Sequence, residues 1–158
     1  DRARRALDLY RERFTAEGLY ENRLYDDIPA ALAKVRATGH RLIVATSKPT
    51  VFAVRVIRHF GLEACFEAVH GSELDGRLSD KRELLAWIAA HHHLDVARTV
   101  MIGDRRHDID GARENRMASI GVLYGYGSRD ELLAAGANIM CDAPRDIPNG
   151  VANLIDRT

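Results

Sequence analysis

The segment Val100–Ala112, VMIGDRRHDIDGA, sets three carboxylates, Asp104, Asp108 and Asp110, directly behind a short apolar run. Gly103 lets the chain turn sharply, so Asp104 projects from the tip of a strand. Asp108, four positions on, then falls in the first turn of the next helix, on the same side. Mg²⁺ is bound by one or two carboxylates, several waters and a substrate phosphate, and a strand-tip acid with a helix-start acid meets that demand. The competing account is that acids favour a helix N-terminus, where the macrodipole is positive. It covers Asp108 or Asp110 well. Asp104 is harder to explain that way, because a carboxylate at a crowded strand end needs a partner.

Two other segments carry polar groups suited to the same chemistry. RLIVAT is followed by Thr46-Ser47-Lys48 and then Pro49. Hydroxyls, backbone N–H groups and a helix start together make an anion site that suits phosphate; the plainer alternative is an N-cap followed by a surface lysine. Lys81 opens the helix after GRLSD. A cation is disfavoured at a helix start, so Lys81 either points to solvent or answers a nearby negative charge. The triplet His91-His92-His93 reads as a solvated helix end, since consecutive helical residues face different ways and cannot converge on one metal. Trp87, with Leu84, Leu85 and Ile88, is assigned to the core.

These groups need elements to hold them. Ile28-Pro29 opens a helix that Gly39 closes, as the preference for Pro at the start and Gly past the end predicts. RLIVAT, CFEAVHGSEL, TVMIGD, MASIGVLYG and NIMCDAP read as strands, with helices of about ten residues between them. Asp75-Gly76 marks a turn, and Ser128 with Glu131 forms the capping-box pattern. Alternating strands and helices imply βαβ crossovers and a mainly parallel sheet with helices on both faces. In such a sheet, ligands bind at the carboxyl ends of the strands, where all three segments lie.

Composition narrows the partners. With 23 basic and 23 acidic residues the formal net charge is zero, so nothing points to nucleic acid or to an anionic membrane surface. Cys65 and Cys141 lie far apart without metal-ligand spacing, which fits a reducing compartment. No apolar run is long enough to span a membrane, and the expected location is cytoplasmic. Oligomeric state is left open.

Together, the segments resemble the haloacid dehalogenase superfamily of phosphohydrolases, in particular its phosphoglycolate phosphatase-like and 5′-nucleotidase-like bacterial branch. IVATSKPT is similar to the family's second motif, with Thr46 as its hydroxyl residue. LDGRLSDK resembles the third, with Lys81 as its lysine, and VMIGDRRHDIDGA resembles the fourth, GDxxxD, with Asp104 and Asp108 as its acids. The resemblance continues through SIGVLYGYGSRDELLAAGA. It implies a three-layer αβα, Rossmann-like core over residues 22–158, and a remnant of a helical cap with its linker over residues 1–21.

The resemblance also implies a mechanism. An aspartate attacks the phosphorus of a small phosphorylated substrate and becomes an aspartyl phosphate, with Mg²⁺ held by Asp104 and Asp108. Thr46 and the Ser47 N–H bind the phosphoryl group, Lys81 balances its charge, and Lys48 contacts substrate. The family's first motif, an apolar strand followed by DxDGT, does not occur in the 158 residues. Asp108-Ile109-Asp110-Gly111 imitates it but follows GDRRH, and Asp26-Asp27 follows no apolar strand. The nucleophile is therefore expected upstream of residue 1, on a strand between those of Thr46 and Asp104, and residues 1–158 alone are expected to be inactive. A phosphomutase of the same family, or a non-catalytic phosphate- or protein-binding module, remain as alternatives.

Overall fold

Residue 5 and residues 18–155 are described by a computed structural model. Most of the expected cap segment, residues 1–21, lies outside them. Helix α1 (Ile28–Ala37) starts with Pro29 in its first turn, where a missing N–H costs nothing. Gly39, just beyond its end, takes φ +84°. Strand β1 (Ile43–Pro49) and helix α2 (Thr50–His59) follow. Strand β2 (Ala68–Ser72) lies parallel to β1, with Ile43 opposite Ala68 and Ala45 opposite His70; the register then slips before Pro49 meets Ser72.

Helix α3 (Lys81–His91) is capped by Asp80, whose carboxylate accepts the Arg82 N–H at 2.8 Å. Beyond it come β3 (Val100–Gly103), α4 (Arg106–Glu114), β4 (Ala118–Val122), α5 (Arg129–Ala135), β5 (Ile139–Cys141) and α6 (Ile147–Ile155). Strands β3, β4 and β5 form a parallel sheet in that order.

Alternation along β4 explains the layers, because successive side chains point to opposite faces. Ile120 and Val122 join Val35 of α1 and Ile147 and Val151 of α6 on one face. On the other, Ile109 of α4 packs with Leu132 and Ala135 of α5, and Leu85 of α3 packs with Ala112 and Met117. The result is the expected αβα arrangement.

Helix α3 buries Lys81, Leu84, Leu85 and Ile88, the i, i+3, i+4, i+7 face of an amphipathic helix. Each fully buried aliphatic side chain contributes about 1.5–3 kcal/mol, which fixes the helix and the lysine that opens it. Trp87 lies off that face. It is 39% exposed and stacks on His91 with ring centroids 4.5 Å apart, which corrects its assignment to the core.

The sheet is interrupted at one place. Strand β1 pairs only with β2, and β3 only with β4, among the described residues. A cavity of about 360 Å³ lies between them, lined by Ile43 and Ala45 of β1, Val100 and Ile102 of β3, and Leu85 and Ile88 of α3. Its walls are mostly apolar, and among the described residues neither strand has a strand partner on that side.

Candidate active site

Thr46, Ser47 and Lys48 lie inside β1, beyond the point where its register with β2 slips. The strand runs on to Pro49, and α2 begins at Thr50 without a side-chain cap. Thr46 is therefore not the N-cap of that helix. Its Oγ1 accepts the Lys48 N–H at 3.2 Å, which curls the segment on itself. The end of β2 holds the curl from outside. The Ser72 hydroxyl donates to the Ser47 carbonyl at 3.0 Å, and the Gly71 N–H donates to Thr50 Oγ1 at 2.9 Å.

Lys81 does not point to solvent. It is 8% exposed; its Nζ lies 3.0 Å from Asp108 Oδ1 and donates to the Ala45 carbonyl, next to Thr46, at 2.9 Å. A cation buried at a helix start is unfavourable on both counts, and Asp108 offsets them. Asp108 also accepts the Arg105 N–H on Oδ2 at 3.2 Å, satisfying one of the N–H groups left over where α4 begins. Both of its oxygens are thus engaged.

Asp104 stands just past β3 and is held differently. The Tyr126 N–H donates to its Oδ2 at 2.8 Å. The loop can come this close because Gly125 and Gly127 lack side chains: a Cβ at the first would overlap the Asp104 side chain, and at the second its carbonyl oxygen. No hydrogen bond or ion pair among the described residues takes Asp104 Oδ1.

The structure thus joins Lys81, Asp108 and the backbone beside Thr46 through direct contacts. It sets Asp104 on the loop that leads into the Asp108 helix, with its carboxylate bonded to neither Lys81 nor Asp108.

Several contributors were invisible in the pattern. Ser72, the Tyr126 N–H and Glu131 enter only through tertiary contacts. Ser128 caps α5 as expected, its Oγ accepting the Glu131 N–H at 3.1 Å. The Glu131 carboxylate, however, reaches away to α4. Its Oε1 accepts the Arg106 N–H at 2.9 Å and Arg105 Nε–H at 3.0 Å. Those bonds, the backbone one first, hold the Glu131 carboxyl below the usual glutamate range.

The histidine triplet is also more ordered than a solvated end. His91 and His93 are exposed, but the His92 side chain is only 13% exposed, with Nδ1 3.4 Å from Glu67 Oε1. Its Nε2 lies 2.7 Å from His70 Nε2.

A family model described as haloacid dehalogenase-like hydrolase matches residues 2–115, and a second, HAD-like model matches residues 81–153. The chain belongs to the haloacid dehalogenase-like hydrolases. Within them it is 50% identical, over 133 residues, to a 5′-nucleotidase of Pseudomonas aeruginosa, covering 84% of this chain and 60% of that protein. It is 41% identical over 128 residues to the tyrosine-protein kinase PtkA of Mycobacterium tuberculosis, covering 81% of this chain and 44% of the kinase. The crystal structure of a predicted phosphatase from Clostridium acetobutylicum superposes with a TM-score of 0.90 at 42% identity, over 94% of this chain and 69% of the other. The chain thus spans between 44% and 60% of the length of these curated relatives.

Among haloacid dehalogenase-like hydrolases the implied metal is Mg²⁺, a hard cation that takes oxygen ligands and keeps several waters. The donors here fit that demand only sparely. Asp104 offers one carboxylate oxygen with no partner among the described residues, and its orientation is fixed by Tyr126. No group of three or more metal-ligating side chains converges among the described residues, so water and substrate would complete the set.

Proposed function

We propose that this chain forms most of the catalytic core of a Mg²⁺-dependent phosphatase acting on small phosphomonoesters, nucleotide-like or phosphoglycolate-like. The observation that carries it is the buried Lys81–Asp108 pair, anchored on the carbonyl next to Thr46 and adjoining the turn that presents Asp104. A buried ion pair gains little stability over apolar packing, so its retention at the carboxyl edge of a parallel sheet favours a chemical role. Support also comes from the relatives named as a 5′-nucleotidase and as phosphoglycolate phosphatases.

In this reading Thr46 Oγ and the Ser47 N–H donate to the phosphoryl oxygens. Lys81, oriented by Asp108, balances their charge, and Lys48 meets the remainder of the substrate. The nucleophile is an aspartate outside the 158 residues, on a strand that fills the slot between β1 and β3. Its carboxylate attacks phosphorus while a second aspartate, two residues on in the same segment, gives its proton to the leaving ester oxygen; that carboxylate then takes a proton from the water that hydrolyses the aspartyl phosphate, splitting one difficult displacement into two. Asp104 would hold Mg²⁺, with Asp108 as the second acid of the site while it fixes Lys81. Bound Mg²⁺ would supply charge neutralisation at the phosphoryl oxygens.

The test uses the full-length protein, assayed with Mg²⁺ against a 5′-nucleotide, phosphoglycolate and para-nitrophenyl phosphate. Turnover that needs Mg²⁺, and that falls by at least about 100-fold in Asp104→Asn and in Lys81→Met, is expected for groups acting on the transition-state charge. Wild-type turnover in either variant overturns the assignment. The relative named as a tyrosine kinase favours a second reading, phosphoryl transfer to protein tyrosine. Incubation with ATP and a tyrosine-bearing acceptor separates the two, since the phosphatase reading expects no acceptor labelling.

A further inference from the structure

We infer that Glu131 is a positioning residue for Asp104, holding the turn at residues 104–106 in the form that presents the Asp104 carboxylate to a divalent cation. The inference rests on the proposed phosphatase reading, in which Asp104 is the cation's carboxylate. It starts from a side chain whose sequence pattern predicts one role and whose geometry gives another.

In a capping box, the glutamate returns to the backbone N–H of its own cap residue. Glu131 instead crosses to a different helix, where one oxygen, Oε1, accepts both the Arg106 N–H and Arg105 Nε–H. Arg106 is the first residue of α4, so a carboxylate from α5 satisfies an N–H that α4 cannot, at the end where negative charge is favoured. Asp108 accepts the N–H of the preceding residue, Arg105. The two N–H groups directly after Asp104 are therefore both fixed by carboxylates.

The other flank of the same segment grips Asp104 itself, through the Tyr126 N–H and the close approach of Gly127. Asp104 thus sits between two fixed points, both supplied by residues 126–131. The bond to Arg105 has a further consequence. It ties down a guanidinium that lies next to Asp104 in the chain and would otherwise be free to pair with it. Glu131 keeps its negative charge while doing so, because its carboxyl lies below the usual range.

The experiment is calorimetric titration of Mg²⁺ into the full-length protein without substrate, with metal-free thermal unfolding in parallel. Outer-shell partners of a metal ligand cost about 10–100-fold in metal affinity when removed, and Glu131→Ala is expected to weaken Mg²⁺ binding by that order. Glu131→Gln, which keeps an oxygen acceptor, retains most of the affinity. Ser128→Ala removes the α5 cap without touching the turn, and it lowers thermal stability while leaving Mg²⁺ affinity at the wild-type value. Wild-type affinity in Glu131→Ala, or an equal loss in Ser128→Ala, overturns the inference. Asp104→Asn keeps the failures apart. If it binds Mg²⁺ normally, the active-site reading falls and takes the inference with it. If it abolishes binding while Glu131→Ala does not, only the inference falls.

Discussion

The two ends of α3 carry buried or half-buried ionisable groups, and they solve opposite problems. At the start, Lys81 places a cation where the helix dipole repels it, 8% exposed, and needs Asp108 from another helix to be tolerable. At the far end, His92 sits where positive charge is favoured, facing His70 of β2 and Glu67 ahead of that strand. Arg41 completes that second cluster, donating to both Glu67 oxygens and to the His92 carbonyl. Every group there is locally satisfied, and the cluster lies at the opposite end of α3 from the acids. The first end bears a cost that packing alone does not explain; the second is a tie between helix and sheet.

The sharpest way to break this contrast is at Lys81. Removing one partner of a buried ion pair strands the other, at a cost of about 3–5 kcal/mol. Lys81→Ala is expected to lower the unfolding free energy of the full-length protein by that order and to abolish turnover. The double variant Lys81→Met with Asp108→Leu removes both charges and recovers most of the stability, but none of the activity. Denaturant unfolding and phosphatase assay on the three proteins decide it. If recovered stability brings recovered activity, the pair is structural and the two ends of α3 are alike.

His92→Ala probes the other end. Loss of the His92 ring leaves the half-buried His70 Nε2 without its partner, at about 1–3 kcal/mol, while Glu67 keeps both bonds from Arg41. Turnover measured well below the melting temperature is expected to match wild type, because His92 touches nothing in the candidate site. A fall in turnover comparable to that of Asp104→Asn would move the histidine cluster into the machinery.

How far each end was legible in the sequence follows from where its partners lie. The alternation of strands and helices, and the placement of Lys81 at a helix start and of Asp104 just past a strand, rest on local pattern, and pattern sufficed; Thr46, expected at the end of its strand, lies within it. The run RLIVAT marked β1, although the strand extends three residues further, to Pro49, because β2 continues to pair with it past the irregularity. For Lys81 the sequence posed two outcomes, and only the fold, by bringing Asp108 to 3.0 Å, chose one. His92 could not be separated from His91 and His93, since its neighbours come from β2 and the chain before it. Glu131 had a complete local explanation as a capping-box residue, and the local explanation concealed the tertiary one. Trp87 was misplaced because its size outweighed its position, one step off the buried face.

The smallest expected effect concerns pH, and it sharpens the distinction from the histidine side. Burial, then the charges of His92 and His91, pushes His70 below the usual histidine range. The groups facing it are His92, His91 and Trp87, with Glu67 beyond His92. The native state therefore takes up the His70 proton less readily than the unfolded chain does. Stability rises with pH wherever the unfolded state binds more protons, so this contribution is intact above the unfolded histidine pKa of about 6.5. As pH falls below that value the unfolded chain protonates first and stability drops, until His70 titrates in the native state as well. The short His70–His92 contact points the same way, because a hydrogen bond between two ring nitrogens needs one of them unprotonated. His70→Asn is thus expected to flatten the fall in melting temperature between about pH 7 and 5.5, against the ordinary histidine range. An unaltered slope in His70→Asn would mean that His70 takes up its proton in the native state without penalty, and that the far end of α3 is a solvated surface after all.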